Sequence, residues 1–175
     1  DMAIGIALLV GIQLPINFDS PYKAQNISEF WRRWHITLSN FLRDYIYIPL
    51  GGNRLGEFSR YRNLLITMLL GGIWHGAGWN FLIWGALHGT YLSVQQIWSQ
   101  HCPNFSLIPQ SIKKVLAWSI TFIAVVYAWV LFRATSFDGA MNLMAAMTGM
   151  YEISIPNAIF VRLDVLHPIF ETLNV

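Results

Sequence analysis

The sequence predicts an all-α fold: a polytopic transmembrane helical bundle with a re-entrant or broken helix and interfacial amphipathic helices. Three observations lead there. Of 175 residues, 55% are hydrophobic and 11% charged, against about 25% charged in an ordinary soluble domain. Between Asn63 and Ile112, a run of 50 residues, there is no Asp, Glu, Lys or Arg. Aromatic residues are abundant, with eight Trp, seven Tyr and eleven Phe, and rings with a polar handle favour the membrane–water boundary.

The same composition excludes other classes. A formal net charge of +2 does not suggest a nucleic-acid partner. The single cysteine, Cys102, permits no intrachain disulfide and no paired-cysteine zinc or redox motif; beside Pro103 it reads as an inert loop residue. The apolar opening Met2–Leu14 has no basic region before it and no small-residue cleavage site after it, so it is not a signal peptide. The plain expectation is a fragment, residues 1–175, of one longer membrane domain.

The elements follow in order. Residues 2–16 read as the tail of a truncated span, ended by Pro15 and Asn17. Residues 18–62 hold seven Lys/Arg against four Asp/Glu, which places this segment on the cytoplasmic side. Within it, Asn26 as cap and Glu29 at the third helical position begin a helix. Its apolar side carries Ile27, Phe30, Trp31, Trp34, Leu38, Phe41, Leu42 and Tyr45 at helical spacing. That helix either lies in the membrane interface or packs on other helices, and is expected to end near Tyr47, before Pro49.

Residues 64–98 are the least regular stretch. As one helix they would run about 52 Å, more than a bilayer core needs. Gly71, Gly72, Gly76 and Gly78 fall in its first half, so a broken or re-entrant helix of residues 64–73 followed by a span over 80–98 is expected. Residues 115–132 form a clean span between Lys113-Lys114 and Arg133. Residues 136–150 read as a surface helix capped by Ser136, with Asp138 in its first turn. Residues 151–175 show no clear period.

The glycine-rich break contains His75. Irregular backbone at membrane depth must be buried in protein or line a water-filled cavity, and an ionisable side chain there points to function. A second reading stays open. Gly72-x-x-x-Gly76 and Gly85-x-x-x-Gly89 are also helix-packing motifs, with His75 hydrogen-bonded across an interface. His35 lies at the edge of its helix's apolar side, as either a boundary residue or a site residue. His88 reads as an interhelical hydrogen-bond partner. His101 and His167 are given no role.

Intramembrane histidines serve three chemistries. Haem ligation needs a facing histidine for both His75 and His88, and residues 115–132 supply none. No bound cofactor or metal is therefore expected. A proton path usually recruits intramembrane carboxylates, which the uncharged run lacks. General-base catalysis of acyl transfer needs only one neutral histidine in a wet cavity.

The motifs then resemble a known family. Phe30-Trp31-Arg32-Arg33-Trp34-His35-Ile36-Thr37-Leu38-Ser39 and Asp44-Tyr45-Ile46-Tyr47-Ile48-Pro49-Leu50-Gly51-Gly52-Asn53 look like two signatures of the membrane-bound O-acyltransferases. Gly72-Ile73-Trp74-His75-Gly76-Ala77 looks like that family's catalytic-histidine motif. The opening Asp1–Gly5 and Phe132-Arg133-Ala134 also fit, so the resemblance covers roughly residues 1–150. The nearest subgroup is that of the bacterial alginate O-acetyltransferase membrane subunits.

The resemblance implies a multi-helix fold with a central funnel in the bacterial inner membrane. It implies catalytic roles for His75 and, second, His35; Asp44 falls in a motif but receives no role. The implied acyl donor is a thioester such as acetyl-CoA. The acyl group would pass across the membrane to an extracytoplasmic acetyltransferase partner protein and then to a polysaccharide. The alternative is a non-enzymatic transporter or assembly subunit of an exopolysaccharide system.

Overall fold

The computed structural model describes residues 2–101 and 109–150. Cys102, His167 and the tail lie outside them. Two compact units are present, Asp1–Ala140 and Met141–Val175. The described residues are helical, with no strand among them: α1 (Met2–Leu9), α2 (Ile27–Arg33), α3 (Ile36–Leu42), α4 (Glu57–His75), α5 (Trp79–His101), α6 (Gln110–Arg133) and α7 (Phe137–Met147). A single 3-10 turn, Pro21–Lys23, precedes α2 and a π-helical turn, Arg43–Tyr47, follows α3.

Several elements fall where the sequence places them. Asn26 Oδ1 accepts from the Glu29 N–H at 2.8 Å, and Glu29 reaches back to the Gln25 N–H at 2.9 Å. That bond, with Arg33 beside it, holds the Glu29 carboxyl below its usual range. The helix of α7 begins one residue after Ser136, whose Oγ accepts from the Gly139 N–H at 3.1 Å. Among the described residues, α6 is the helix both long and apolar enough to cross a membrane, with a mean hydropathy of 2.2.

Other elements differ from expectation. The first helix covers only Met2–Leu9, because the chain turns at Val10 and Gly11. The amphipathic helix is not continuous: it breaks at Trp34-His35, where His35 takes a left-handed conformation, φ 43° and ψ 58°. Asn17 and Asp19 fill the break. The Asp19 N–H donates to Arg33 O at 2.9 Å and the Ile36 N–H to Asn17 O at 3.0 Å. The Asn17 side chain then accepts from the Thr37 N–H at 3.0 Å and the Thr37 hydroxyl at 2.7 Å. Backbone groups orphaned by the break are thus paired.

The helix expected from residue 64 begins at Glu57 and runs through Gly71-Gly72 to His75. The interruption is confined to Gly76–Gly78. There the chain reverses, and α5 packs back along α4 as a tight hairpin. Three glycines make that approach possible. A Cβ on Gly72 would stand 2.3 Å from Phe81 O, one on Gly85 2.4 Å from Met68 O, and one on Gly89 2.9 Å from Leu65 Cα. The packing reading of these glycines therefore holds. Although α5 has 23 residues, its Gly, His, Thr and Gln content keeps it short of the apolarity of α6.

Candidate active site

His75 ends α4 at the hairpin turn. Its imidazole is boxed by rings from three directions: Trp74 at 4.9 Å, Trp84 at 5.3 Å and Phe132 at 5.0 Å between centroids, the last two nearly perpendicular to it. Trp84 comes from α5 and Phe132 from α6, so the box closes only when both helices pack on α4. Asn80 ties the start of α5 to the end of α6 through a 2.9 Å bond from Nδ2 to Ala134 O. A cavity of about 200 Å³, lined by Ile73, Gly76, Ala77, Gly78, Trp79 and Leu82, opens at the turn without His75 or its three rings in its lining.

His35 is linked to this box through intermediate rings, its neighbour Trp34 meeting Trp129, which in turn meets Phe132 at 5.6 Å. The break between α2 and α3 turns its ring toward Phe18, 6.0 Å away. Its Nδ1 is buried with no hydrogen-bond partner among the described residues. Neighbouring Trp34 packs on Trp129 of α6 at 4.7 Å, which anchors the break against the bundle.

His88 is fully buried and bonds between helices, as its sequence context predicts. The Trp31 Nε1–H donates to His88 Nδ1 at 3.2 Å. Its ring also meets Trp84 at 4.7 Å. Asp44 is exposed on the π-helical turn and paired with Arg43 at 2.8 Å, which holds its carboxyl below the usual range. His101, at the end of α5, pairs its Nδ1 with Ile97 O at 3.1 Å.

Sequence reasoning did not single out Trp84 or Trp129. Each sits in an ordinary apolar helical run, and nothing local separates a site tryptophan from a packing one. The available signal was the spacing of Trp84 four residues before His88, which puts both on one face of α5.

The loop motif has a structural role. Asn63, fully buried, donates its amide to Leu50 O and Gly52 O, both at 3.0 Å. It clamps the Leu50–Asn53 turn onto α4.

Comparison with known proteins decides the family. The profile of the membrane-bound O-acyltransferase (MBOAT) family matches residues 1–146. The chain belongs to the membrane-bound O-acyltransferase family. It is 54% identical to the peptidoglycan O-acetyltransferase of Helicobacter pylori, over 89% of this chain and 29% of that protein. It is 51% identical to the probable alginate O-acetylase AlgI of Azotobacter vinelandii, over 84% of this chain and 28% of that protein. The teichoic acid D-alanyltransferase of Bacillus subtilis is 29% identical over 77% of this chain and 36% of that protein. The chain thus spans under a third of the two acetyltransferase relatives. His75, His35 and the clamped turn all fall inside the segment that matches the MBOAT family.

Proposed function

We propose that this chain carries the catalytic histidines of a multi-pass inner-membrane O-acyltransferase, with His75 as general base. The carrying observation is the position of His75: at the end of a glycine-packed hairpin, walled by Trp74, Trp84 and Phe132. The family membership supports the reaction class.

The chemistry balances simply. The acceptor hydroxyl oxygen bonds to the acyl carbon as the C–S bond of the thioester breaks. Its proton passes to neutral His75 and from there to the departing thiolate. Proton transfer by a positioned side chain contributes about 10²–10⁴-fold in rate. His35 orients His75 or binds the donor. An acyl thioester on a large charged carrier such as acetyl-CoA does not cross a bilayer, so the donor stays on the cytoplasmic side. The acyl group then leaves through a funnel toward an extracytoplasmic protein partner and a polysaccharide such as alginate or peptidoglycan.

The test uses the purified full-length protein. Wild type should release thiol from acetyl-CoA, and His75→Ala should not, at equal abundance in the membrane. Wild-type turnover in the variant would exclude His75 as the base, and no thiol release from wild type would favour a passive conduit.

A further inference from the structure

The α5–α6 pair carries a groove that acyl transfer at His75 does not use. It is a cavity of about 380 Å³, walled by Val94 and Trp98 on α5 and by Ala117, Ile120 and Ala124 on α6, with the start of α2 against it. The wall is almost wholly apolar. Three of its polar members are already engaged. Gln95 Oε1 accepts from Ser28 Oγ at 2.7 Å, Thr121 Oγ1 donates to Ala117 O at 2.8 Å, and Asn26 Oδ1 caps α2. Such a wall suits a hydrocarbon chain, which asks for no hydrogen bond.

The groove opens toward lipid. Among the described residues, α6 is the helix long and apolar enough to cross a bilayer. Ile120, on the groove wall, is 68% exposed and lies on the same helix as exposed Leu116 and Ile123. Trp98, on the opposite wall, is 59% exposed. A tryptophan there suits the level where lipid headgroups begin.

The end of the groove nearest the start of α6 is basic. Lys113 stands one turn before Ala117, so it falls on the face of α6 that also carries Ala117, Ile120 and Ala124. Lys114 is next to it. Neither makes an ion pair with a described residue. Arg60 reaches this end of α5 through a 2.8 Å bond to Gln100, and the carboxylate beside it, Glu57, is 3.9 Å from Arg60 itself.

We infer that the α5–α6 groove holds an acyl chain of an anionic phospholipid, with the phosphate at Lys113 and Lys114. Basic pockets between membrane helices bind anionic headgroups in this way. The lysine stems lie along apolar surface while their ammonium groups stay at headgroup level. A helix from the rest of the protein would cover the same apolar wall, but it would leave the two lysines at its end without a counter-charge. One lipid answers both features, and the groove gives its chain a fixed seat beside them.

The test uses the full-length protein in phosphatidylcholine nanodiscs containing rising fractions of lipid brominated on its acyl chains. Bromine quenches nearby indole emission, and the difference between wild type and Trp98→Phe isolates Trp98. Brominated phosphatidylglycerol should half-quench Trp98 at a mole fraction about fivefold or more below that needed with brominated phosphatidylcholine. The double variant Lys113→Gln, Lys114→Gln should lose that preference. Equal quenching by the two lipids would reduce the groove to ordinary bilayer contact and overturn the inference. Quenching by neither would show that the rest of the protein covers the groove, which overturns it too. A preference that survives in the lysine variant would remove the phosphate from this place. A second readout needs no variant: wild type purified in detergent with equal amounts of both lipids should retain phosphatidylglycerol in native mass spectrometry, and retention of neither, or of both equally, counts against the site.

Discussion

Gly72 lies against Phe81 so closely that a Cβ on the glycine would stand 2.3 Å from the phenylalanine's carbonyl oxygen. The obstacle is helix backbone, which cannot swing aside as a side chain can. Gly72→Ala should therefore push α4 and α5 apart, destabilising the protein by about 1–3 kcal/mol or more and disturbing the His75 box. Gly78→Ala is the control, because its nearest neighbour would be an ordinary 3.6 Å contact with Phe81. Thermal unfolding of the full-length variants in detergent should separate the two, and equal melting temperatures would count against the close-packed hairpin.

Asn63 supplies two bonds to the Leu50–Asn53 turn. Asn63→Ala should leave the Leu50 and Gly52 carbonyls unpaired, at about 1–3 kcal/mol for each buried group. Asn63→Asp should be no better, because an ionised carboxylate has no hydrogen to donate to either carbonyl. Faster limited proteolysis in residues 50–56 of both variants is the expected result. An unaltered cleavage rate would mean the turn is held by something else.

The left-handed conformation of His35 separates its backbone role from its chemistry. Holding a residue with a Cβ there costs roughly 1–2 kcal/mol, a penalty glycine avoids. His35→Gly should therefore be more stable than His35→Ala by about that order, while both lose activity. Full activity in His35→Gly would reduce His35 to a backbone hinge.

The basic segment 18–62 should face the cytoplasm. Arg54→Cys in a Cys102→Ser background should react with thiol reagents only after they gain access to the cell interior. Labelling from outside intact cells would reverse the orientation and move the thioester donor to the other side.

Expressed alone, this chain should neither fold stably nor catalyse. Outward residues of α6 such as Val115, Ile120 and Ile123 are 55–68% exposed, although lipid could cover these. The Gly76 N–H and Gly78 O are paired within the chain, with Ile73 O and the Phe81 N–H at 3.1 Å, but lipid cannot pair any group the turn leaves open, and in hydrocarbon each costs several kcal/mol. The remaining two-thirds of the relatives' length is the natural cover. Coexpression with that part should restore activity, and a monodisperse, His75-dependent enzyme made from residues 1–175 alone would show the catalytic unit to be far smaller.

The sequence by itself determined the helical class, the α6 span, the Asn26 and Ser136 caps and the glycine interruption before Trp79. These are local signals: an apolar run, a cap three residues from its target, a cluster of glycines. It also predicted that His88 would bond between helices. Only the tertiary structure decided that the amphipathic helix breaks at His35, because the groups that stabilise the break, Asn17 and Asp19, lie outside the helical repeat. Only packing decided that Trp84 and Phe132 meet at His75, with His88 against Trp84. Their meeting depends on backbone approach at Gly72, Gly85 and Gly89 and on the Trp31–His88 bond. Hydrogen bonds and ring contacts between residues tens of positions apart leave no period in the sequence.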